Sequence, residues 1–186
     1  MTTPRIAPLE PPFEPDAAES LRQWMPRNSR VPPLALFRTL HRNPKLAAAM
    51  HPFGRFNLRD SSIAPRDREI VIHRTCALCH CEYEWGVHVA SFAERVGFSA
   101  AEIEATVTGA AVWDDREQLL VSLTDALHRT AAVPDELWAG LREHWSENQL
   151  LELVALVGWY HVISFVANSA QVKLEDWAPR FPGRQL

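Results

Sequence analysis

The strongest constraint on the fold is a long apolar segment near the C-terminus of the 186-residue chain. Ser146 and Gln149 have the spacing of a capping box, which predicts a helix that starts there and runs to about Lys173. Within this helix, residues 150–166 are apolar on almost every side. A helix of this kind is buried at the centre of a fold or at a subunit interface. We therefore expect it to be covered by the rest of the chain and by neighbouring subunits of a homo-oligomer.

Proline, glycine and capping residues divide the rest of the chain into further helical segments. No segment has the period of two that a half-buried strand needs, whereas Asn43, Pro65 and Gly97 stand at positions typical of helix ends. Helices are expected at residues 16–25, 34–40, 45–50, 65–79, 82–96, from 99 onward, 113–130, 134–144 and 146–173, with a loop at 51–62. We therefore predict an all-α fold, a compact multi-helix bundle.

Proline content sets the expected domain boundaries. Residues 1–15 contain five prolines and little periodicity. We predict a proline-rich N-terminal arm at 1–30, a helical domain at 31–175 and a C-terminal tail at 176–186. The arm would lie over another surface, cap the pocket of a neighbouring subunit, or be disordered.

Composition argues against several classes of partner. The formal net charge is -4 and no run of Lys or Arg exists, so we expect no nucleic-acid partner. The N-terminus lacks the apolar core of a secretory signal. The apolar run at 150–157 is too short to span a bilayer and contains Glu152. We therefore expect a cytoplasmic protein without a membrane partner.

Two consecutive helices are predicted to carry rows of polar residues that face each other. The first row is Glu69, His73, Cys76 and His80, and the second is Cys81, Glu84 and His88. If the helices pack side by side, carboxylates, imidazoles and thiols meet in a small volume. Burial would raise the pKa of the carboxyl groups, and neighbouring charges would tune the histidines. Such a site can perform general acid–base chemistry near neutral pH.

Other interpretations of these residues remain open at this point. Glu84 and His88 could form an exposed pair on a solvated helix face. Cys76 and Cys79 have the spacing of a redox pair, but at the end of a helix the dipole would not lower a thiol pKa much, and free cysteines are usually small buried hydrophobes.

A metal site and a set of core polar groups complete the alternatives. Two E-x-x-x-H pairs, Glu69–His73 and Glu84–His88, flank the cysteines and could hold zinc or iron. However, no second C-x-x-C or H-x-x-x-H completes a zinc pattern, so we expect no metal. The polar residues of the apolar helix, at 159–161 and Asn168, are interpreted as satisfied core groups.

The central motif resembles the carboxymuconolactone decarboxylase family, which includes the alkylhydroperoxidase D (AhpD)-like proteins. The residues that carry the likeness are Arg68-Glu69-Ile-Val-Ile, Cys81-Glu82-Tyr83-Glu84-Trp85 and His88. The peroxidases of this family have a glutamate, then a C-x-x-C twelve residues later, then a histidine. Here Glu84 stands at the second cysteine, and the Y-E-W-x-x-H pattern is similar to the decarboxylase branch. The likeness covers roughly residues 30–175.

The resemblance implies an AhpD-like all-α homo-oligomer without an organic cofactor. We therefore predict an enzyme that acts on a small organic acid or lactone by acid–base catalysis. His88 is the expected general acid or base, Glu84 or Glu69 would orient it or share the proton, and Arg68 or Arg74 would hold a substrate carboxylate.

Two alternatives have different consequences. A thiol-dependent hydroperoxidase of the peroxiredoxin type would use Cys81 and should show a lowered pKa for that thiol. Cys76 or Cys79 would then have to resolve the oxidised Cys81. A non-catalytic helical oligomer that binds a ligand or partner should have its polar rows in solvent.

Overall fold

The computed structural model describes residues 3–26, 29 and 31–183, so parts of the predicted arm and tail lie outside the described residues. The described residues form α-helices joined by short connections and contain no strand, which confirms the all-α prediction. The helices are α1 Pro15–Trp24, α2 Ala35–Leu40, α3 Pro44–Arg55, α4 Pro65–Leu78, α5 Glu82–His88, α6 Ala100–Thr108, α7 Asp115–Thr130, α8 Asp135–Arg142 and α9 Glu147–Ala170.

Helix ends lie where the capping residues predict them. The Asn43 side chain accepts a hydrogen bond from the backbone N–H of Leu46 at the start of α3. Ser99 and Glu102 form the reciprocal capping box of α6. Gly97 adopts the left-handed conformation, with φ 72°, which residues with a Cβ avoid. These local signals fix the boundaries of the elements on either side of the site.

The loop predicted at 51–62 is wrong, because α3 continues to Arg55 and a π-helical turn follows at Phe56–Asp60. Pro52 lies inside α3 and removes one backbone donor from the helix. Contacts with α1 offset this loss, since His51 hydrogen-bonds to the carbonyl oxygen of Gln23 at 3.2 Å. Tertiary packing therefore overrides the local propensity of this segment.

The helix predicted at 82–96 is also corrected. Regular α-helix ends at His88 and is followed by a π-helical turn at Val89–Ala93 and a 3-10 turn at Glu94–Val96. His80 lies in the turn before α5 with a positive φ of 51°, so it is not part of the polar row on α4.

The chain divides into two compact units, and the predicted boundaries at 30 and 175 stay a prediction. The first unit comprises Met1–Ser61 and Val166–Asp176. In it the described part of the arm lies along α2, where the Arg38 guanidinium donates to the Leu9 carbonyl at 2.8 Å. The arm therefore covers a surface of its own chain.

The second unit comprises Ser62–Phe165 and Trp177–Leu186, and α4 packs on α5, α6 and α7 within it. Ion pairs join α4 to its neighbours. The buried Arg74 binds both carboxylate oxygens of Asp125 on α7, at 2.7 and 3.0 Å. Arg66 pairs with Glu117 at 2.6 Å. These bidentate and networked contacts fix the position of the helix that carries Glu69.

Helix α9 is long and apolar enough to cross a membrane by length and composition alone, but half of its most apolar segment is buried within the fold. Within the second unit its exposed apolar side chains include Leu151, Val162 and Phe165. This pattern is compatible with the predicted position of α9 in a core and at an interface. The predicted cytoplasmic location stays a prediction.

Candidate active site

Helices α4 and α5 bring Glu69 and His88 into direct contact. The Nδ1–H of His88 donates to Oε2 of Glu69 at 2.7 Å, and both side chains are buried. Oε1 of Glu84 lies 3.6 Å from Nε2 of the same imidazole. The side chains of Glu69, Glu84 and His88 are only 0%, 10% and 3% exposed. The interpretation as a solvated helix face is therefore wrong. The solvent-facing polar rows expected of a non-catalytic oligomer are not observed for these residues.

Tyr160 completes this cluster from α9. Its hydroxyl lies 3.1 Å from Nε2 of His88, and the ring packs edge-on against the imidazole. The sequence predicts Tyr160 only as a satisfied core group and does not indicate its position beside His88. The one available signal was a polar residue in an otherwise apolar helix. Asn168, placed in the same class, is exposed, so that assignment is wrong. We refer to Glu69, Glu84, His88 and Tyr160 as the acid–base cluster.

Charge on the cluster follows from the close approach of Glu69 and His88. Burial alone would lower the pKa of His88, but the negative charge of Glu69 and the hydrogen bond to it, with a smaller contribution from Glu84, outweigh burial and raise the pKa to about 9. Burial alone would raise the pKa of Glu69, but the charge of His88 reverses this and lowers it. The expected rise in this carboxyl pKa is thus wrong. At neutral pH the pair is an imidazolium and a carboxylate.

His73 lies beside the same carboxylate but stays neutral. Its Nδ1–H donates to the backbone carbonyl of Glu69 at 2.6 Å, and burial lowers its pKa to about 4. Among the described residues, Nε2 of His73 and Oε2 of Glu84 are buried atoms without a hydrogen-bond partner. An unsatisfied buried polar atom costs about 1–3 kcal/mol. These atoms are hydrogen-bond acceptors that a ligand could satisfy.

Cys81 has the wrong protonation state for a reactive thiol. It is the residue before α5, where the helix dipole favours a thiolate. Burial nevertheless raises its pKa to about 12, and the nearby charge of Glu84 adds to the rise. Burial also raises the pKa of Cys76 well above its ordinary value. The lowered thiol pKa expected of a hydroperoxidase is therefore wrong for this structure.

The two arginines proposed as substrate ligands differ in their surroundings. The Arg74 guanidinium is held by Asp125 and by the Thr106 carbonyl at 3.1 Å, so it is a structural group. Nε of Arg68 donates to Oε1 of Glu69 at 3.1 Å, and its side chain is 11% exposed. Arg68 is therefore the arginine adjacent to the acid–base cluster.

The described residues have the all-helical fold of the AhpD-like proteins. Residues 44–126 match the sequence profile of the carboxymuconolactone decarboxylase family, and the resemblance expected from the sequence is confirmed over this segment. This match includes Glu69, Glu84 and His88 but not Tyr160. A sequence search of curated proteins gives no match.

Solved structures share the fold at low sequence identity. An uncharacterised peroxidase-related protein from Silicibacter sp. TM1040 superposes with a TM-score of 0.79 at 15% identity, over 99% of this chain and 98% of that one. The debrominase Bmp8, in a cysteine-to-alanine variant bound to 2,3,4-tribromopyrrole, gives 0.77 at 17% identity, over 95% and 94%. The AhpD core of a peroxidase-related protein from Ralstonia eutropha JMP134 gives 0.68 at 14% identity, over 94% and 95%. These similarities establish the fold.

Proposed function

We propose that the protein is a decarboxylase-type enzyme that acts on a small organic acid or lactone by acid–base catalysis. The observation that carries the proposal is the buried chain from Glu69 through the imidazolium of His88 to Tyr160. Buried titratable groups with opposed pKa shifts are typical of acid–base sites. The match of residues 44–126 to the profile of a decarboxylase family supports the same class of reaction.

His88 is the proposed general acid. When the substrate loses carbon dioxide, the electron pair of the broken C–C bond stays on the substrate carbon, and a proton must reach that carbon. Nε2–H of His88 supplies this proton, and water returns one to the imidazole afterwards, so one proton is consumed for each carbon dioxide released. A group with a pKa of about 9 is fully protonated at neutral pH.

Glu69 and Tyr160 hold the imidazolium in place. Glu69 accepts Nδ1–H, which orients the ring and stabilises its charge, as a carboxylate does behind a catalytic histidine. The Tyr160 hydroxyl is next to Nε2 in the free enzyme and positions the N–H that is delivered. Glu84 has a buried oxygen without a hydrogen-bond partner among the described residues, and this oxygen is the proposed contact for a substrate O–H.

The test is decarboxylation of carboxymuconolactone and of related lactone acids, followed as carbon dioxide release by the purified chain. His88→Gln should lower turnover by about 10²–10⁴-fold. His144→Gln is the matched control, because His144 is exposed. Glu69→Gln should move the alkaline limit of activity from about pH 9 toward lower pH. Equal turnover in wild type and His88→Gln would overturn the proposal.

A thiol-dependent hydroperoxidase is the second candidate, and the peroxidase-related neighbours with the same fold favour it. The charges of Cys79 and Cys81 both raise the pKa of Cys76, so the three thiols lie near one another. Cys81 would attack the peroxide as a thiolate, and its sulfenic acid would be resolved by Cys76 or Cys79. Its raised pKa is the main argument against this candidate.

Consumption of hydroperoxide with a dithiol reductant separates the two candidates. Cys81→Ser should leave decarboxylation within a few-fold of wild type if His88 is the acid, and should abolish peroxide turnover if the thiol is the catalyst. 2,3,4-Tribromopyrrole belongs in the same set of probes because a debrominase shares the fold. Cys76→Ser, at the other fully buried thiol, is the control for loss of packing.

A further inference from the structure

We propose that Cys79, His128 and His161 form a binding site for a divalent cation of the zinc class. One ligand atom of each residue lies within 4.8 Å of the ligand atoms of the other two. Among the described residues, this is the group of histidine, cysteine and carboxylate side chains whose spacing fits a metal ion. It lies outside the acid–base cluster and departs from the expectation, drawn from the sequence, of a chain without a metal site.

The three residues come from separate elements. Cys79 follows the last residue of α4, His128 lies in the last turn of α7, and His161 lies on α9. A single helix face therefore does not account for their proximity. It results from the packing of three helices in the second unit, which holds the donor atoms in a fixed arrangement.

The spacing is close to that of a tetrahedral site. Nδ1 of His128 is 2.9 Å from Nε2 of His161. Bond lengths of about 2.0–2.1 Å to nitrogen and 2.3 Å to sulfur put neighbouring ligand atoms of tetrahedral zinc roughly 3.3–3.6 Å apart. The two nitrogen atoms are slightly closer than this, and the widest separation in the group is up to 4.8 Å. Side-chain rotations that move these atoms by about 1 Å would produce the tetrahedral spacing.

The hydrogen bond made by Nδ1 of His161, the ring nitrogen that does not face His128, supports a ligand role for this residue. Its Nδ1–H donates to the carbonyl oxygen of Val157 at 2.8 Å. This leaves Nε2 deprotonated, with its lone pair directed toward His128. Histidine ligands of metals usually donate their other N–H to a carbonyl or carboxylate in this way, which fixes the tautomer and orients the ring.

The donor set selects the class of cation. One thiolate and two imidazoles suit zinc and related transition metals, whereas magnesium and calcium prefer oxygen ligands. Cys79 and His161 are half-buried and His128 is exposed, so the cation can arrive from solvent and keep water as a fourth ligand. The proton that leaves the Cys79 thiol goes to the buffer, and His128 can carry its remaining proton on Nε2.

The experiment uses the full chain after removal of metal with a chelator. Co²⁺ is added as a spectroscopic probe, and Zn²⁺ affinity is then measured by competition, with Mg²⁺ as the negative control. We expect one Co²⁺ per chain, with the intense near-ultraviolet absorption of a Co²⁺–thiolate bond. Loss of a residue that hydrogen-bonds to a metal ligand typically weakens metal binding about 10–100-fold. Cys79→Ser and His128→Ala each change a proposed ligand itself, so each should weaken Zn²⁺ binding at least as much.

The controls locate the metal and guard against misfolding. Cys81→Ser and His144→Ala should leave affinity within a few-fold of wild type. His128→Ala changes an exposed side chain, so its effect can be measured on folded protein even if Cys79→Ser unfolds. No Co²⁺–thiolate band in wild type, or a band that His128→Ala leaves unchanged, would overturn the proposal. A band lost in Cys81→Ser but retained in Cys79→Ser would also overturn it.

Discussion

The charge of His88 makes the stability of this fold depend on pH in a definite direction. Folding raises the pKa of His88 from an ordinary 6.5 to about 9. A group whose pKa is raised by folding contributes stability that is fully present below pH 6.5 and is lost as the pH rises through about 9. At about 1.4 kcal/mol per pH unit, the difference corresponds to about 3 kcal/mol. Burial acts in the opposite direction, and the charge and hydrogen bond of Glu69 are the largest of the effects that raise the pKa, ahead of those of Glu84.

The perturbation that isolates this contribution is Glu69→Gln, which keeps the shape of the side chain and removes its charge. At pH 6.5 the variant should lose about 3 kcal/mol of unfolding free energy, consistent with the loss of one partner from a buried ion pair. Above about pH 9.5 the difference should shrink by most of that amount, because wild-type His88 is then neutral. Guanidinium unfolding at a series of pH values measures both differences. Glu104→Gln, at an exposed residue, is the matched control and should change stability by less than about 0.5 kcal/mol.

The result that would refute this reasoning is a Glu69→Gln effect of equal size at both pH values. It would mean that His88 is neutral in the folded protein and that Glu69 acts only through packing and hydrogen bonding. A histidine NMR titration provides the independent measurement. The His88 ring resonance should titrate near pH 9 in wild type and at a markedly lower pH in the variant, where burial is opposed only by Glu84.

Three further predictions concern packing, assembly and thiol chemistry. A Cβ at Gly86 would overlap the carbonyl oxygen of Pro179, so Gly86→Ala should destabilise the fold by about 1–3 kcal/mol in denaturant unfolding, whereas Gly158→Ala has open space and should not destabilise it. Phe165 is 60% exposed on α9, so Phe165→Glu should shift the proposed homo-oligomer to a smaller species in light scattering without detergent; an unchanged mass would place the interface elsewhere. With its pKa of about 12, Cys81 should react with iodoacetamide at pH 8 about a thousandfold more slowly in native than in unfolded protein, as measured by mass spectrometry, and rapid native labelling would contradict the raised pKa.

Much of the helical framework is predictable because its signals are local. The capping box of Ser99 and Glu102 involves residues three positions apart, and the Asn43 cap acts over the same distance. The prediction of a loop around Pro52 is wrong because the contacts that decide the structure of this segment are not local. A proline lowers local helix propensity, whereas the contacts that retain this helix come from α1, in a distant part of the sequence.

The residues of the acid–base cluster also differ in whether the sequence predicts their positions. Glu69 and His88 lie on consecutive helices, so helical periodicity and the family resemblance together predicted their convergence. Tyr160 is 72 positions from His88 in sequence, and no pattern within α9 indicates which polar residue meets the imidazole. The proximity of His128 and His161, 33 positions apart, depends in the same way on helix packing.

Of the properties of this site, protonation states are the hardest to predict from the sequence, as His73 and His88 demonstrate. Both imidazoles are buried, and both donate a hydrogen bond to Glu69. His73 donates to the backbone carbonyl, burial dominates, and its pKa falls to about 4. His88 donates to the carboxylate, whose charge outweighs burial, and its pKa rises to about 9. Glu69 raises the pKa of both imidazoles, but burial and the charge of His88 keep His73 neutral. Nδ1 of His88 is 2.7 Å from Oε2 of Glu69 and Nδ1 of His73 is 3.8 Å from it, so only His88 has the direct hydrogen bond to the carboxylate that offsets burial.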